Sequence, residues 1–378
     1  PAFGADDYKV GKKYGIGILT MVDREGKFVD GLGEFSNRYV KNYKDDPNYV
    51  DVNVDIAVKL KKENRAFKVE KYEHSYPHCW RTDKPVLYYP LDAWFIKTTA
   101  IKDRMVELNK TINWKPASTG EGRFGNWLEN MVDWNLSRSR YWGTPLPIWK
   151  TEDGEEEKCI GSIEELLSEA KKAVDAGVVK SLPFRVPEQS EGKERSSLEG
   201  LDLHKPFVDD IILVSDAGKP MKRVPDLIDV WFDSGAMPYA QWGLPDTSSN
   251  KFGPLSAENF FKYHAASEAS PLRGGLEGAS FPADFIAEGV DQTRGWFYTL
   301  HAIACLVFDS VAYKTVVSNG LVLDKNGNKM SKRLGNVVDP FETIEKYGAD
   351  ATRWYLITNA SPWDNLKFDI EGIKEVQR

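Results

Sequence analysis

The chain has 378 residues, 41% hydrophobic and 28% charged, an ordinary soluble composition long enough for two or three domains. A net charge of −7 excludes a basic nucleic-acid footprint as a bulk property and leaves any RNA contact to local patches or to sequence outside this chain. Cys79, Cys159 and Cys305 form no CxxC pair and no apolar run reaches the ~18 residues of a membrane span, so neither a disulfide framework nor a membrane protein is expected.

The chain opens Pro1-Ala2-Phe3-Gly4, without an initiator Met or a signal-peptide pattern, and is expected to come from the middle of a longer, cytoplasmic protein. Residues 1–70 alternate short β-like runs with turns such as Gly15-Ile16-Gly17 and Gly31-Leu32-Gly33. Val52 to Glu63 has helical spacing, with Val54, Val58 and Leu60 as apolar positions, so this stretch reads as α+β. Residues 71–150 are rich in aromatics and proline and read as connecting structure. Residues 151–225 read as a charged surface insertion: Glu155-Glu156-Glu157-Lys158 and Glu188 to Glu199 flank an amphipathic helix that starts at Ile163, with Ser162 as N-cap.

Residues 226–335 carry the clearest pattern. Ile228 to Phe232 is a short apolar run, which reads as a buried strand ending near Trp231. Phe281 to Ala287 is another, stopping at Glu288-Gly289. A helix follows with Trp296, Leu300, Ile303 and Val307 on one face and Asp291 near its start. Thr315-Val316-Val317 then runs to Ser318-Asn319-Gly320. Strand, helix, strand predicts a βαβ unit of a parallel sheet, where ligands bind beyond the carboxyl ends of the strands. Residues 336–378 predict two helices, Phe341 to Tyr347 and Ala349 to Thr358.

Three segments could carry chemistry. Lys329-Met330-Ser331-Lys332-Arg333, followed by Gly335-Asn336, puts two lysines in a loop after the turn Asp324-Lys325-Asn326-Gly327. Phosphoryl and nucleotidyl transfer need cations where charge builds on phosphate oxygens, and such a loop can supply them. A solvated basic turn would look the same. In Ala287-Glu288-Gly289-Val290-Asp291-Gln292-Thr293-Arg294-Gly295-Trp296-Phe297, carboxylates at a strand end can receive an ammonium group or ribose hydroxyls; the alternative makes Asp291 an N-cap and leaves Glu288 in solvent. In Asp229-Val230-Trp231-Phe232-Asp233-Ser234-Gly235, the indole either walls a pocket or fills a core.

In this order, WFDSG, EGVDQTRGWF and KMSKR, the chain resembles the second half of a class I aminoacyl-tRNA synthetase, of the isoleucyl branch. LSRSRYWG, HSYPHCWR and Gly4-Ala5-Asp6-Asp7-Tyr8 are similar to further segments of that branch. The resemblance implies an α/β fold: the second half of a Rossmann-type nucleotide-binding domain, part of an α+β/β editing domain and a helical C-terminal extension. It divides the chain into an editing tail at 1–90, a connection at 91–150, the insertion at 151–225, the catalytic half at 226–335 and the start of a helical stem-contact region at 336–378. It implies activation of L-isoleucine with ATP and Mg2+, transfer to tRNA(Ile), editing of mischarged valine, and a monomeric parent enzyme. Lys329 and Lys332 would then meet the ATP phosphates, with Ser331 between them at the nucleotide. Glu288 and Gly289 would line the adenylate site, Asp291 and Gln292 would position the amino acid, Trp231 and Trp296 would wall the isoleucine pocket, and Asp7 would hold the ammonium of a misattached residue. The family's HxGH signature does not occur in this sequence, and Arg333 stands where the family loop has Ser.

Zinc would have His74, His78 and Cys79 close in sequence but no evident fourth ligand, and Cys159 stands alone, so no metal site is expected. No GxxxxGK[ST] loop or complete GxGxxG is present, which removes the P-loop and dehydrogenase readings. The rival readings are a valyl- or leucyl-type synthetase and a non-catalytic binding module.

Overall fold

The structure is a computed structural model that describes residues 3–79, 81–184, 201–241, 281–331 and 334–378. The chain divides into two units, Pro1–Asp92 and Ala93–Arg378.

In the first unit, α1 (Ala5–Lys13) carries Asp6 and Asp7 in its first turn and Lys12 and Lys13 in its last, the charge order that the helix dipole favours. The Asp51 carboxylate caps α2 (Val52–Lys62) by accepting the Asn53 N–H at 2.9 Å. The inward face of α2 is Val52, Ile56 and Leu60; Val54 and Val58, expected to face inward, are exposed. The β-like runs expected over 1–70 form only the isolated bridges Val22–Phe28 and Lys27–Tyr39 among the described residues, because turns interrupt each run before a ladder can extend.

The second unit begins with β1 (Phe95–Ile96), α3 (Lys102–Asn109) and β2 (Asn113–Lys115). A π-helical turn, Thr119–Phe124, leads into α4 (Gly125–Glu129), β3 (Trp134–Asn135) and β4 (Ser137–Arg138). Next come β5 (Ile148–Thr151), β6 (Glu157–Cys159), α5 (Ile163–Asp175), β7 (Leu213–Val214) and β8 (Pro220–Arg223). Then follow β9 (Leu227–Ile228), α6 (Val230–Ala240), β10 (Ile286–Gly289), α7 (Trp296–Phe308), β11 (Thr315–Asn319) and β12 (Val322–Leu323). The last elements are α8 (Pro340–Tyr347), α9 (Ala349–Thr358), β13 (Leu366–Lys367) and α10 (Ile370–Gln377).

The expected βαβ unit is present. β10 and β11 pair in parallel from Ile286↔Val316 to Gly289↔Asn319, α7 makes the crossover, and β2 pairs in parallel with the other edge of β11. α7 is apolar on nearly every face, as a helix enclosed by its domain must be. Leu300 and Ile303 are buried as expected, whereas Val307 is partly exposed. Around α7 pack Met105, Leu108, Trp114, Phe124, Leu128 and Trp134. Residues 91–150, read from sequence as connecting structure, therefore supply much of the core. Their apolar positions are scattered over short elements, so neither helical nor strand periodicity reveals them.

β6, β5, β8 and β7 form an antiparallel sheet against α5, with a separate core of Trp149, Leu166, Ala170, Ile211, Leu213 and Met221. Ser162 caps α5 as expected: its Oγ accepts the Glu165 N–H at 3.1 Å while Glu165 Oε2 accepts the Gly161 N–H at 2.7 Å. The Glu188 to Glu199 stretch lies outside the described residues. The C-terminal helices close around Tyr355, Leu366, Phe368 and Ile373.

Candidate functional site

The carboxyl ends of β10 and β11 lie side by side, with Glu288 in register with Ser318 and Gly289 with Asn319. Glu288 and Gly289 are the last residues of β10 rather than the first residues beyond it, because the ladder to β11 continues through them. The chain then makes a 3-10 turn, Val290–Arg294, before α7. Asp291 sits in this turn and does not cap α7; Gly295 precedes the helix without a side-chain cap. Gln292 acts at that end instead. Its Oε1 accepts the Trp296 N–H at 3.0 Å and its Nε2 donates to Asp291 Oδ2 at 3.2 Å. Thr293, fully buried, donates to the Val290 carbonyl at 2.8 Å and accepts from Arg123 Nε at 2.9 Å, tying the turn to the π-helical segment. The carboxylates of Glu288 and Asp291 are left facing solvent, where a cationic group could reach them.

The strand expected to end near Trp231 stops at Ile228, and Trp231 lies in the first turn of α6. The reason is Asp229. Its carboxylate accepts the Trp231 N–H at 3.2 Å, so the chain turns helical there; it also accepts Trp134 Nε1 at 3.1 Å and pairs with Arg138 at 2.7 Å. Asp229 is 3% exposed, Trp231 41%. Gly295 brings the two motifs together: a Cβ there would lie 3.1 Å from the Trp231 ring and 2.8 Å from Gln292 Oε1. Trp296 donates from Nε1 to the Ser234 carbonyl at 3.2 Å. Trp231, Trp296 and Gln292 thus gather about Gly295, and Gln292 links them to the Asp291 carboxylate.

The lysine loop is fastened at its base. After β12, Asp324 Oδ1 accepts the N–H groups of Asn326 (3.0 Å) and Asn328 (2.8 Å). Asp324 Oδ2 accepts Asn336 Nδ2 at 3.0 Å. Asn336 Oδ1 accepts the Ser331 N–H at 2.9 Å, and its Nδ2 also lies 3.3 Å from the Lys329 carbonyl. The Asn336 amide and the Asn328 N–H hold the Asp324 carboxyl below the usual carboxylate range. Lys329 is exposed; Lys332 and Arg333 lie outside the described residues.

Asp7 is exposed in α1, within the first unit. His74 and His78 are exposed and their Nδ1 atoms lie 2.9 Å from the Ser75 and Tyr76 carbonyls. Among the described residues no three His, Cys, Asp or Glu side chains gather as a metal site, and no helix is long and apolar enough to cross a membrane. Sequence reasoning assigned nothing to Asp229 or Asn336, although both stand in the quoted motifs. An Asp immediately before an apolar helical start is an N-cap signal that points to Asp229. No local pattern reveals Asn336, whose partner lies twelve positions upstream.

Residues 33–267 and 262–369 match the family described as tRNA synthetases class I (I, L, M and V). The chain is 59% identical to an isoleucine–tRNA ligase of Cytophaga hutchinsonii over all of its length and 32% of the relative's. It is 58% identical to that of Bacteroides fragilis and 54% identical to that of Porphyromonas gingivalis, again over its whole length and 34% of theirs. The chain therefore spans about a third of the length of these relatives.

Proposed function

The chain belongs to the class I tRNA synthetases of the isoleucine, leucine, methionine and valine group, and from that premise we propose that the full-length protein activates L-isoleucine with ATP and transfers it to tRNA(Ile). The observation that carries the choice of isoleucine is the 54–59% identity along the whole chain to isoleucine–tRNA ligases. The site geometry supports it chemically. Trp231 and Trp296 offer aromatic surface to an aliphatic side chain, and Asp291, steadied by Gln292, offers a carboxylate to the substrate ammonium. Glu288 and Gly289, at the carboxyl edge of the parallel sheet, stand where an adenylate would lie. Lys329 and Lys332, with Ser331 between them, meet the phosphates as pyrophosphate departs. Mg2+ would arrive with ATP, held largely through the phosphates and water. The parent acts as a cytoplasmic monomer.

Editing of mischarged valine belongs to the same reading. One methylene in an apolar pocket is worth only roughly 1–3 kcal/mol; the isoleucine–valine pair is itself the standard illustration of that limit, and the figure is general rather than drawn from this chain. Asp7 is assigned to the misattached ammonium by resemblance alone.

The test is isoleucine-dependent ATP–pyrophosphate exchange by the full-length enzyme, with valyl-tRNA deacylation measured in the same preparation. Lys332→Ala is expected to lower the exchange rate on the order of 100-fold, with the KM for isoleucine little changed, because its charge matters most in the transition state. Exchange driven equally by valine or leucine, or an unchanged rate in the variant, would overturn the reading.

A further inference from the structure

We propose that Asn336 and Asp324 are positioning residues that fix the backbone at Lys329 and Ser331 for phosphate contact; this rests on the nucleotide role given to the lysine loop. Three hydrogen bonds carry the argument. One Asn336 side chain holds the Ser331 N–H (2.9 Å), reaches the Lys329 carbonyl (3.3 Å) and is anchored by Asp324 (3.0 Å). Asp324 is itself locked by the backbone N–H groups of Asn326 and Asn328, and the turn closes through the bridge Leu323–Lys329. Beside that bridge, the loop base is tied back toward β12 by one amide that reads both its neighbours, acceptor side to Ser331 and donor side to Asp324.

A long lysine side chain on an untethered loop samples many positions and loses that freedom on meeting its ligand. Fixing the backbone on both sides of Met330 removes part of that loss beforehand. The gain falls where geometry is most demanding, in the transition state, so the clasp should act on kcat and leave amino-acid binding alone.

The orientation of the amide makes a charge test possible. Asn336→Asp places a second carboxylate against Asp324 and should be the most damaging single change. Asp324→Asn keeps the acceptor for the two backbone N–H groups but turns an amide N–H2 toward Asn336 Nδ2. In the double exchange, Asp324→Asn with Asn336→Asp, donor again faces acceptor between the two side chains and the Ser331 N–H keeps its partner, while the weaker contact to the Lys329 carbonyl loses its donor. In the full-length enzyme, each single variant is expected to lower kcat for pyrophosphate exchange by at least roughly 10-fold, Asn336→Asp the most, with the KM for isoleucine unmoved and part of the loss recovered in the double exchange. Tryptic cleavage after Lys329, read by mass spectrometry, should accelerate in the single variants and slow again in the double, since cleavage follows local opening. Wild-type kcat in Asn336→Asp, a double variant no better than the singles, or unaltered cleavage would overturn the clasp. Absence of isoleucine-dependent exchange in the wild type would overturn the functional reading instead, and the cleavage rates would still decide the clasp.

Discussion

His301 sits in the middle of α7 with no solvent exposure, and its Nε2 lies 2.9 Å from the Met105 carbonyl. That partner accepts only, so Nε2 carries the proton, and the Cys305 sulfur lies beside the ring, 3.6 Å from Nε2 and 3.8 Å from Nδ1. Burial pushes the imidazole down to about 4 and the Cys305 thiol up to about 12, so both groups are neutral near pH 7. Between the folded value and the ordinary 6.5, the unfolded chain binds a proton that the folded chain refuses. This contribution to stability is therefore complete above pH 6.5 and lost as pH falls toward 4, on the order of 3 kcal/mol if the full shift is realised. Urea midpoints of wild type and His301→Gln, measured from pH 7 to 4, should converge as the pH drops; parallel curves would mean that the buried imidazole is not the group titrating. The same residue scale divides what was legible from what was not. The positions of Glu288 and Gly289 are legible because the apolar run stops at them, with Asp291 and Gln292 just beyond; their roles come from the resemblance alone. Asp229 carries an N-cap signal in its own motif, but its pairing with Arg138, like that of Asn336 with Asp324, is not legible there, because only folding brings these partners near.

Among elements, periodicity found the long ones. α7, β11, α8 and α9 lie where alternation and helical spacing placed them, and α5 starts at its Ser162 cap. It failed on short pieces: β9 gives way to α6 after two residues, since one carboxylate at Asp229 outweighs the strand preference of Val230 and Trp231. The join between β11 and β12 shows what such patterns cannot encode. Gly320 donates its N–H to the Pro362 carbonyl at 2.9 Å, Leu321 donates to Asn365 Oδ1 at 2.8 Å, and a Cβ at 320 would overlap the Asp364 carbonyl oxygen. The parallel sheet, the strand pair β12–β13 and the lysine loop are all hung on this close approach. Gly320→Ala must push the 361–365 turn away, and overpacking of this kind costs roughly 1–3 kcal/mol. We expect a lower thermal midpoint together with faster tryptic cleavage after Lys329. An unchanged midpoint would show that the turn yields freely.

Across the whole molecule, the two units differ in how much apolar surface they bury. Between Phe3 and Cys79 the buried hydrophobic side chains are Val22, Val40 and Val52, and exposed ones include Tyr14, Ile16, Leu19 and Phe67. The unit from Ala93 holds the α7 core and the separate core around Trp149. The sequence already hinted at the contrast, since Gly-rich turns dominate 1–70 while uninterrupted apolar runs appear only later. The central position of β11, hydrogen-bonded on both edges, could not be read from its five residues. Local opening costs least where few apolar contacts must be broken, and most in a central strand and an enclosed helix. Amide hydrogen exchange should therefore be steeply uneven. Peptides covering α2 are expected to exchange at least roughly 100-fold faster than peptides covering α7 and β11, a difference of about 3 kcal/mol in opening free energy. α2 provides a strict comparison because it is a regular, capped helix of similar length to α7, so hydrogen bonding within the helix cannot account for the gap. If α2 proves as protected as α7 in this chain, stability in the first unit comes from something other than its own buried side chains.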